Sequence, residues 1–393
     1  MVVSDARRVL ASAEVVIDLD ALVANYRRIV AEAVASGAGV AAMVKADGYG
    51  LGAVQVGRAL LTAGCRVFFV ANVAEGSELR SALRVERVGP ETVSEPTILV
   101  LNGCHPGTEA DLLAHDLVPV LNSLDQIDRW SRVAPPGVRL RSALHVDTGM
   151  HRLGLMRSEF ERLLTERERL GQLTVELLMS HLASADERAS AQNPTQRRLF
   201  ERFATQFAEV LAGEGVPAAR SLANSSGLFL GADYHFDLLR PGYCLYGGNP
   251  TPDRPNPMQP VVTLEAPIVQ VRSVESGDSV GYGATYTATT PRLLATLAVG
   301  YADGFLRSSS GRGVVFVAGH RAPIVGRISM DLVTIDVTEV PERWLWLGAP
   351  VQLIGPNRPV DAVATDAGTI GYELLVDLGR RYSRRYAPVC GAD

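Results

Sequence analysis

Lysine is almost missing from this chain. Of 393 residues one is lysine, Lys45, and the other 37 of the 38 basic residues are arginine. Ordinary surface charge and ion pairing are therefore carried by arginine, and a single retained lysine points to chemistry that a guanidinium cannot do. An ammonium group loses its proton when desolvated and can then attack a carbonyl to form an imine, whereas a guanidinium stays charged and is a poor nucleophile. Other shortages narrow the field. Nowhere do eighteen apolar residues run together, which excludes a membrane-spanning helix. The first twenty residues interrupt their apolar positions with Asp5, Arg7, Arg8 and Glu14, unlike a signal peptide. The four cysteines, Cys65, Cys104, Cys244 and Cys390, are scattered without metal-ligand spacing, so no metal site is expected, and they read as reduced thiols of a cytoplasmic protein. A net charge of -5 gives nucleic acid or an anionic membrane no electrostatic footing.

What remains is a chain with 47% apolar and 21% charged residues, long enough for two domains. From Val15 to about Arg240, apolar runs of strand length alternate with amphipathic segments. The strands are predicted at Val40 to Ala46, Val67 to Asn72, Thr97 to Leu101, Leu117 to Leu121, Leu140 to Asp147, Thr174 to Ser180, Ser221 to Asn224 and Phe236 to Arg240. Helices are predicted at Leu22 to Ala35, Ala53 to Ala63, Ala74 to Leu83, Glu159 to Leu170 and Thr195 to Leu211, from apolar residues three and four apart. Eight strands alternating with helices predict an α/β fold, an N-terminal (β/α)8 TIM-like barrel. No GxGxxG fingerprint follows the first strand, which disfavours a doubly wound dinucleotide fold. The stretch GGNPTPDRPNPMQP holds five prolines in fourteen residues and reads as a linker. Beyond it, short β-rich runs at Leu264 to Val274, Leu293 to Val299, Gly313 to Val317, Pro323 to Ile328, Leu332 to Val337 and Pro350 to Ile354 predict a mainly antiparallel β domain, with a helical pattern returning near Ala362. The expected divisions are an N-terminal extension 1–13, a barrel 14–249, a linker 250–260 and a β domain 261–393.

Barrel enzymes gather their working residues where strands end and βα loops begin. Lys45 and Tyr49 follow the first strand in MVKADGYGLGA, and Asp147, Thr148 and Arg152 follow the fifth in HVDTGMHRLG. His181 follows the sixth in SHLASAD, Asn224 and Ser225 follow the seventh in ANSSG, and Arg240 ends the eighth in RPGYCLYG. Singly, Asp147 or Asn224 is more often a helix cap and His181 a satisfied buried histidine. Five such groups on one rim favour a site. Ser225, with the backbone of Gly242 and Tyr243 and the Tyr49 hydroxyl, suits a phosphate. A phosphate cradle facing an imine-forming lysine points to pyridoxal phosphate. The strand-end arginine, Arg240, would leave the pyridine nitrogen it meets unprotonated.

Taken together, VKADGYG, VDTGMHRLG, SHLASAD, ANSSG, RPGYCLYG, VGYGATYTA, VGYADGF, GRISMD and GYELL resemble the alanine racemase family of fold-type III pyridoxal-phosphate enzymes along nearly the whole chain. The resemblance implies a racemase with two bases, Lys45 on one face of the substrate and Tyr282, from a partner subunit, on the other. It implies a homodimer with shared sites and a small amino acid as substrate. Arg152 would support Tyr282 or the cofactor, Arg240 the ring nitrogen, and His181 would orient Arg240. Tyr49, Ser225, Gly242, Tyr243 and Tyr372 would hold the phosphate beside Asn224, with Met330 near the substrate carboxylate and Tyr301 and Tyr372 lining the approach. Three departures stand out. Many members carry a carbamylated lysine two residues before DTG, which here is His145, so either an anion such as chloride or His145 itself must hold Arg152, or Arg152 is looser. The usual Cys-Met-Asp-Gln reads Ser329, Met330, Asp331, Leu332, and the usual histidine after the YG of the lysine motif is Leu51. The competing functions are a racemase of another small amino acid, a non-catalytic pyridoxal-phosphate binder, a decarboxylase on the same fold, and a cofactor-free Schiff-base aldolase.

Overall fold

A computed structural model describes residues 8–84, 95–210 and 217–387. The first seven residues of the expected N-terminal extension, Leu211 at the end of a predicted helix, and Cys390 lie outside them. Seven parallel strands follow one another in sequence order: Ala42–Met43, Val67–Val70, Thr97–Val100, Val118–Leu121, Leu140–His145, Leu173–Met179 and Ala219–Ser221. Leu238–Leu239 closes the ring. Its residues pair in parallel with Gly39 and Val40, Met43 N–H donates to Pro241 O, and on the other side Arg240 N–H donates to Ala223 O. Strands buried on both faces read as unbroken apolar runs such as VFFV and TILV, which is why they were visible in the sequence.

The second domain is built on the long strand Val262–Val274. Its first half pairs with Pro350–Ile354 and its second half with Arg292–Leu297, all antiparallel, and bulges near Leu264 and Ile268 let it change partners. Two features depart from expectation. Glu14–Asp18, counted with the barrel in the sequence reading, is a strand of the β sheet, antiparallel to Val262–Val274 and parallel to Ser383–Ala387 near the other end of the chain. Predicted Pro323 to Ile328 is instead a hairpin strand at His320–Pro323. The chain then leaves the ladder, turning at Gly326 with φ +68, where a Cβ would stand 2.7 Å from Val280 O. Three of the cysteines, Cys65, Cys104 and Cys244, are buried free thiols.

A barrel helix residue helps pin the linker. Buried Asn25, on helix Leu19–Val34, accepts from Gln259 N–H at 2.8 Å and donates back to Gln259 O at 2.9 Å, pairing with the linker backbone as a strand would.

Candidate active site

Lys45 stands where the first barrel strand stops. The predicted strand Val40 to Ala46 ends at Met43, and Ala46, Asp47, Gly48, Tyr49 and Gly50 all take positive φ, between 52° and 79°. A left-handed run costs about 1–2 kcal/mol for each residue with a side chain, so three such residues in a row of five must be held from outside. The Asp47 carboxylate accepts Ala53 N–H at 2.8 Å, and the second domain reaches over: Arg384 donates to Gly50 O and Tyr386 to Leu51 O. Burial, with the charge of Arg152, lowers the proton affinity of the Lys45 amine, while Glu75 raises it.

The loop after the fifth strand folds around Asp147. Its carboxylate takes the N–H groups of Gly149, Met150 and His151 at 2.8 to 2.9 Å, so Asp147 shapes the loop that presents Arg152. Arg152 is exposed and has no hydrogen-bond or ion-pair partner among the described residues. His145, buried at the strand end, has a defined tautomer. The Asn122 amide donates to Leu101 O and Val120 O, leaving its Oδ1 to accept. His145 Nδ1, 2.8 Å away, therefore carries the hydrogen and Nε2 keeps its lone pair. Burial first, then the charges of Arg240 and Arg152, push this ring down to about 4, so it is neutral at physiological pH. His181 is held well below its ordinary value by burial and by the same arginines.

Arg240 is the deepest of these groups. It is 3% exposed, and among the described residues its guanidinium meets only neutral acceptors: the Ser221 hydroxyl, Ser180 O at 2.6 Å and Leu222 O at 3.4 Å. Burial pulls it down to about 9, and at neutral pH it is still charged. Beside it the Ser225 hydroxyl accepts Gly242 N–H at 2.9 Å and Cys244 N–H at 3.4 Å. The Tyr49 hydroxyl lies so close to Gly242 that a Cβ there would sit 2.1 Å from it. Tyr49 stacks on Tyr246, and Tyr243 stacks on Tyr372 at 4.0 Å between ring centres. The Tyr243 hydroxyl is committed to Asp361 at 2.7 Å, so any part it takes at the cradle is through its backbone. Asn224 takes the bland role, its Oδ1 capping Gly227 N–H at 2.8 Å. Leu51 is fully buried core.

Lys45, Arg152 and Arg240 thus share one rim with two neutral histidines, and the neighbouring carboxylates are occupied by backbone N–H groups. Such a rim fits an anionic, aromatic cofactor, with phosphate at the Ser225, Gly242 and Tyr49 cradle and a ring between Lys45 and Arg240. Tyr282, Tyr301 and Met330 are elsewhere. They occupy adjoining loops of the β domain, 71%, 42% and 54% exposed, where Tyr301 N–H donates to Ser329 O and Ala302 N–H to Met330 O. Among the described residues no hydrogen bond, ion pair or ring contact joins these three side chains to the barrel rim of their own chain. Glu75 and Asn122 were missed by sequence reasoning. Both follow apolar strands, but their partners lie 29 and 23 residues away.

The fold and rim define a two-domain barrel enzyme. Residues 17–250 match the family model described as alanine racemase, N-terminal domain, and residues 261–386 match alanine racemase, C-terminal domain. An alanine racemase of Methylobacterium nodulans is 49% identical over 95% of this chain and 96% of its own length, and a catabolic alanine racemase of Agrobacterium fabrum is 46% identical over 96% and 92%. The crystal structure of alanine racemase from Bartonella henselae with covalently bound pyridoxal phosphate superposes with a TM-score of 0.87 at 37% identity, covering 96% of this chain and all of that one. The chain belongs to the alanine racemase family.

Proposed function

We propose that this chain interconverts L-alanine and D-alanine with pyridoxal phosphate, using Lys45 and the Tyr282 of a second subunit as opposed bases. The observation that carries the reading is the partly desolvated, solitary Lys45 on a cationic rim whose buried arginine has only neutral partners. Bound pyridoxal phosphate supplies the carbonyl that captures an amino group and the ring that accepts the electron pair left on Cα. With the cofactor bound, Lys45 would be the residue that holds it, and its amine would hold or remove the Cα proton on its own face. A neutral amine is needed for both tasks, and burial together with Arg152 favours it. Arg240, still charged and bonded among the described residues only to neutral acceptors, would face the cofactor's ring nitrogen and, as a fixed cation, would disfavour a proton there. Ser225, Gly242 and Tyr49 bind the phosphate. Arg152 orients the substrate carboxylate or the cofactor oxygen, and the Nε2 lone pair of His145 is an acceptor at the strand end from which the Arg152 loop departs.

Racemisation needs a proton taken from one face and returned on the other, and one fixed base does this poorly. The second base is assigned to Tyr282. Its phenol is exposed on the β domain together with Tyr301 and Met330, as a residue supplied to another subunit's site would be. A head-to-tail homodimer in which each β domain completes the other barrel is therefore part of the proposal. Tyr282→Phe is expected to slow loss of the Cα proton of L-alanine at least about tenfold more than that of D-alanine, measured by exchange in deuterated water. Equal slowing of both enantiomers overturns the assignment.

A further inference from the structure

Glu75 takes no part in the mechanism above, yet it is bonded to the residue that follows Lys45. It is the third residue of helix Val73–Leu83, and its own N–H donates to the capping Asn72 at 3.0 Å. The carboxylate turns back over the helix start. Oε1 accepts Ala46 N–H at 2.9 Å and Oε2 accepts Ala71 N–H at 2.7 Å. Ala46 opens the left-handed run, and Ala71 follows the strand Val67–Val70, so one carboxylate ties the ends of the first two barrel strands together. The other supports of the run, from Asp47, Arg384 and Tyr386, act beyond Gly48. Three groups from the surrounding elements act on the Lys45 amine. Arg152, on the loop after the fifth strand, repels its proton, Glu75 attracts it, and His181, after the sixth strand, is uncharged.

We propose that Glu75 is a positioning residue for proton transfer at Lys45: its two backbone hydrogen bonds hold the left-handed turn that aims the amine, and its charge opposes that of Arg152. The inference rests on Lys45 being the reactive amine. A carboxylate is required at residue 75 because both bonds are accepted by one group. A glutamine could accept one N–H but would turn its own NH2 against the other.

The solitary lysine makes the test direct. The full-length chain, freed of cofactor with hydroxylamine, is acylated with trace acetic anhydride across a pH series, and the Lys45 peptide is quantified by mass spectrometry with the N-terminal amine as internal reference. In Glu75→Gln the pH midpoint of Lys45 acylation is expected to fall by about one unit, since an opposing charge has been removed while that of Arg152 remains. Hydrogen exchange at Ala46 is expected to quicken about tenfold or more. In Glu75→Asp, charged but too short to bridge, the midpoint is expected to stay near the wild-type value while Ala46 exchange still quickens. An unchanged midpoint in a folded Gln variant overturns the electrostatic role, and unchanged Ala46 exchange in the Asp variant overturns the positioning role, including where the Gln variant does not fold. Absence of racemisation by the loaded wild type overturns the proposed reaction, and the acylation midpoints still decide the role of Glu75.

Discussion

His145 shows how a single side chain reports on this site. Its ordinary value of 6.5 falls to about 4 in the folded chain. Between those values the unfolded chain binds the proton and the folded chain does not, so stability rises with pH through that window and is lost as pH falls. In the cofactor-free chain this one ring should remove about 2 kcal/mol on going from pH 7 to pH 5. His145→Asn, which cannot titrate, is expected to show a smaller drop in melting temperature over that interval than the wild type, with His181 still supplying part of it. An identical drop in both proteins contradicts the neutral, buried assignment. Lys45 could be picked out from sequence because it is unique, and Arg240 because it ends a strand. The tautomer of His145 could not, because it is fixed by Asn122, whose own amide is oriented by Val120 O of the strand before it and by Leu101 O, 21 residues away.

Among the elements, the turn from Ala46 to Gly50 departs most from its sequence. Apolar runs identified the barrel strands because each is buried on both faces, but nothing in the residues Ala46, Asp47 and Tyr49 announces positive φ, which side chains ordinarily avoid. Contacts from the β domain hold it together with Glu75 and Asp47 of the barrel. Gly50, at φ +79, packs so tightly under helix Gly371–Val376 that a Cβ would stand 2.2 Å from Leu375 O. Gly50→Ala is therefore expected to lower the melting temperature by several degrees and weaken cofactor retention about tenfold or more, followed by visible absorbance after dialysis. Gly107→Ala is the control, with φ +86 and nothing within 4 Å, and it should cost only about 1–2 kcal/mol of backbone strain without touching the cofactor. Equal losses in the two variants would show that the close approach of the domains does not hold the lysine turn. No strand is predicted at Glu14–Asp18, and its place in the β sheet is hidden for a related reason: its partners, around residues 264 and 385, are far away in sequence and no local periodicity points to them.

At the scale of the molecule, the order of the elements was legible because the barrel strands show as apolar runs and the longer helices as apolar residues three and four apart, though the helices Glu109–Ala114 and Leu124–Arg132 were not named, and five prolines mark the passage to the second domain. Among the described residues no helix is long and apolar enough to cross a membrane. The position of Tyr282 relative to a catalytic centre was not legible from spacing, since one chain places it on an exposed surface of the β domain and Lys45 on the barrel rim. The proposed head-to-tail dimer reconciles the two, and it is decided by hybrid dimers. Chains carrying Lys45→Ala and Tyr282→Phe, with different affinity tags, are co-expressed and the doubly tagged dimer is isolated. Each parent homodimer is expected to be inactive. In the hybrid, one barrel keeps its lysine and receives an intact tyrosine from the other chain, so racemisation should return to about half of the wild-type rate. A hybrid as inactive as its parents would mean that Lys45 and Tyr282 serve the same chain, and would contradict the shared site.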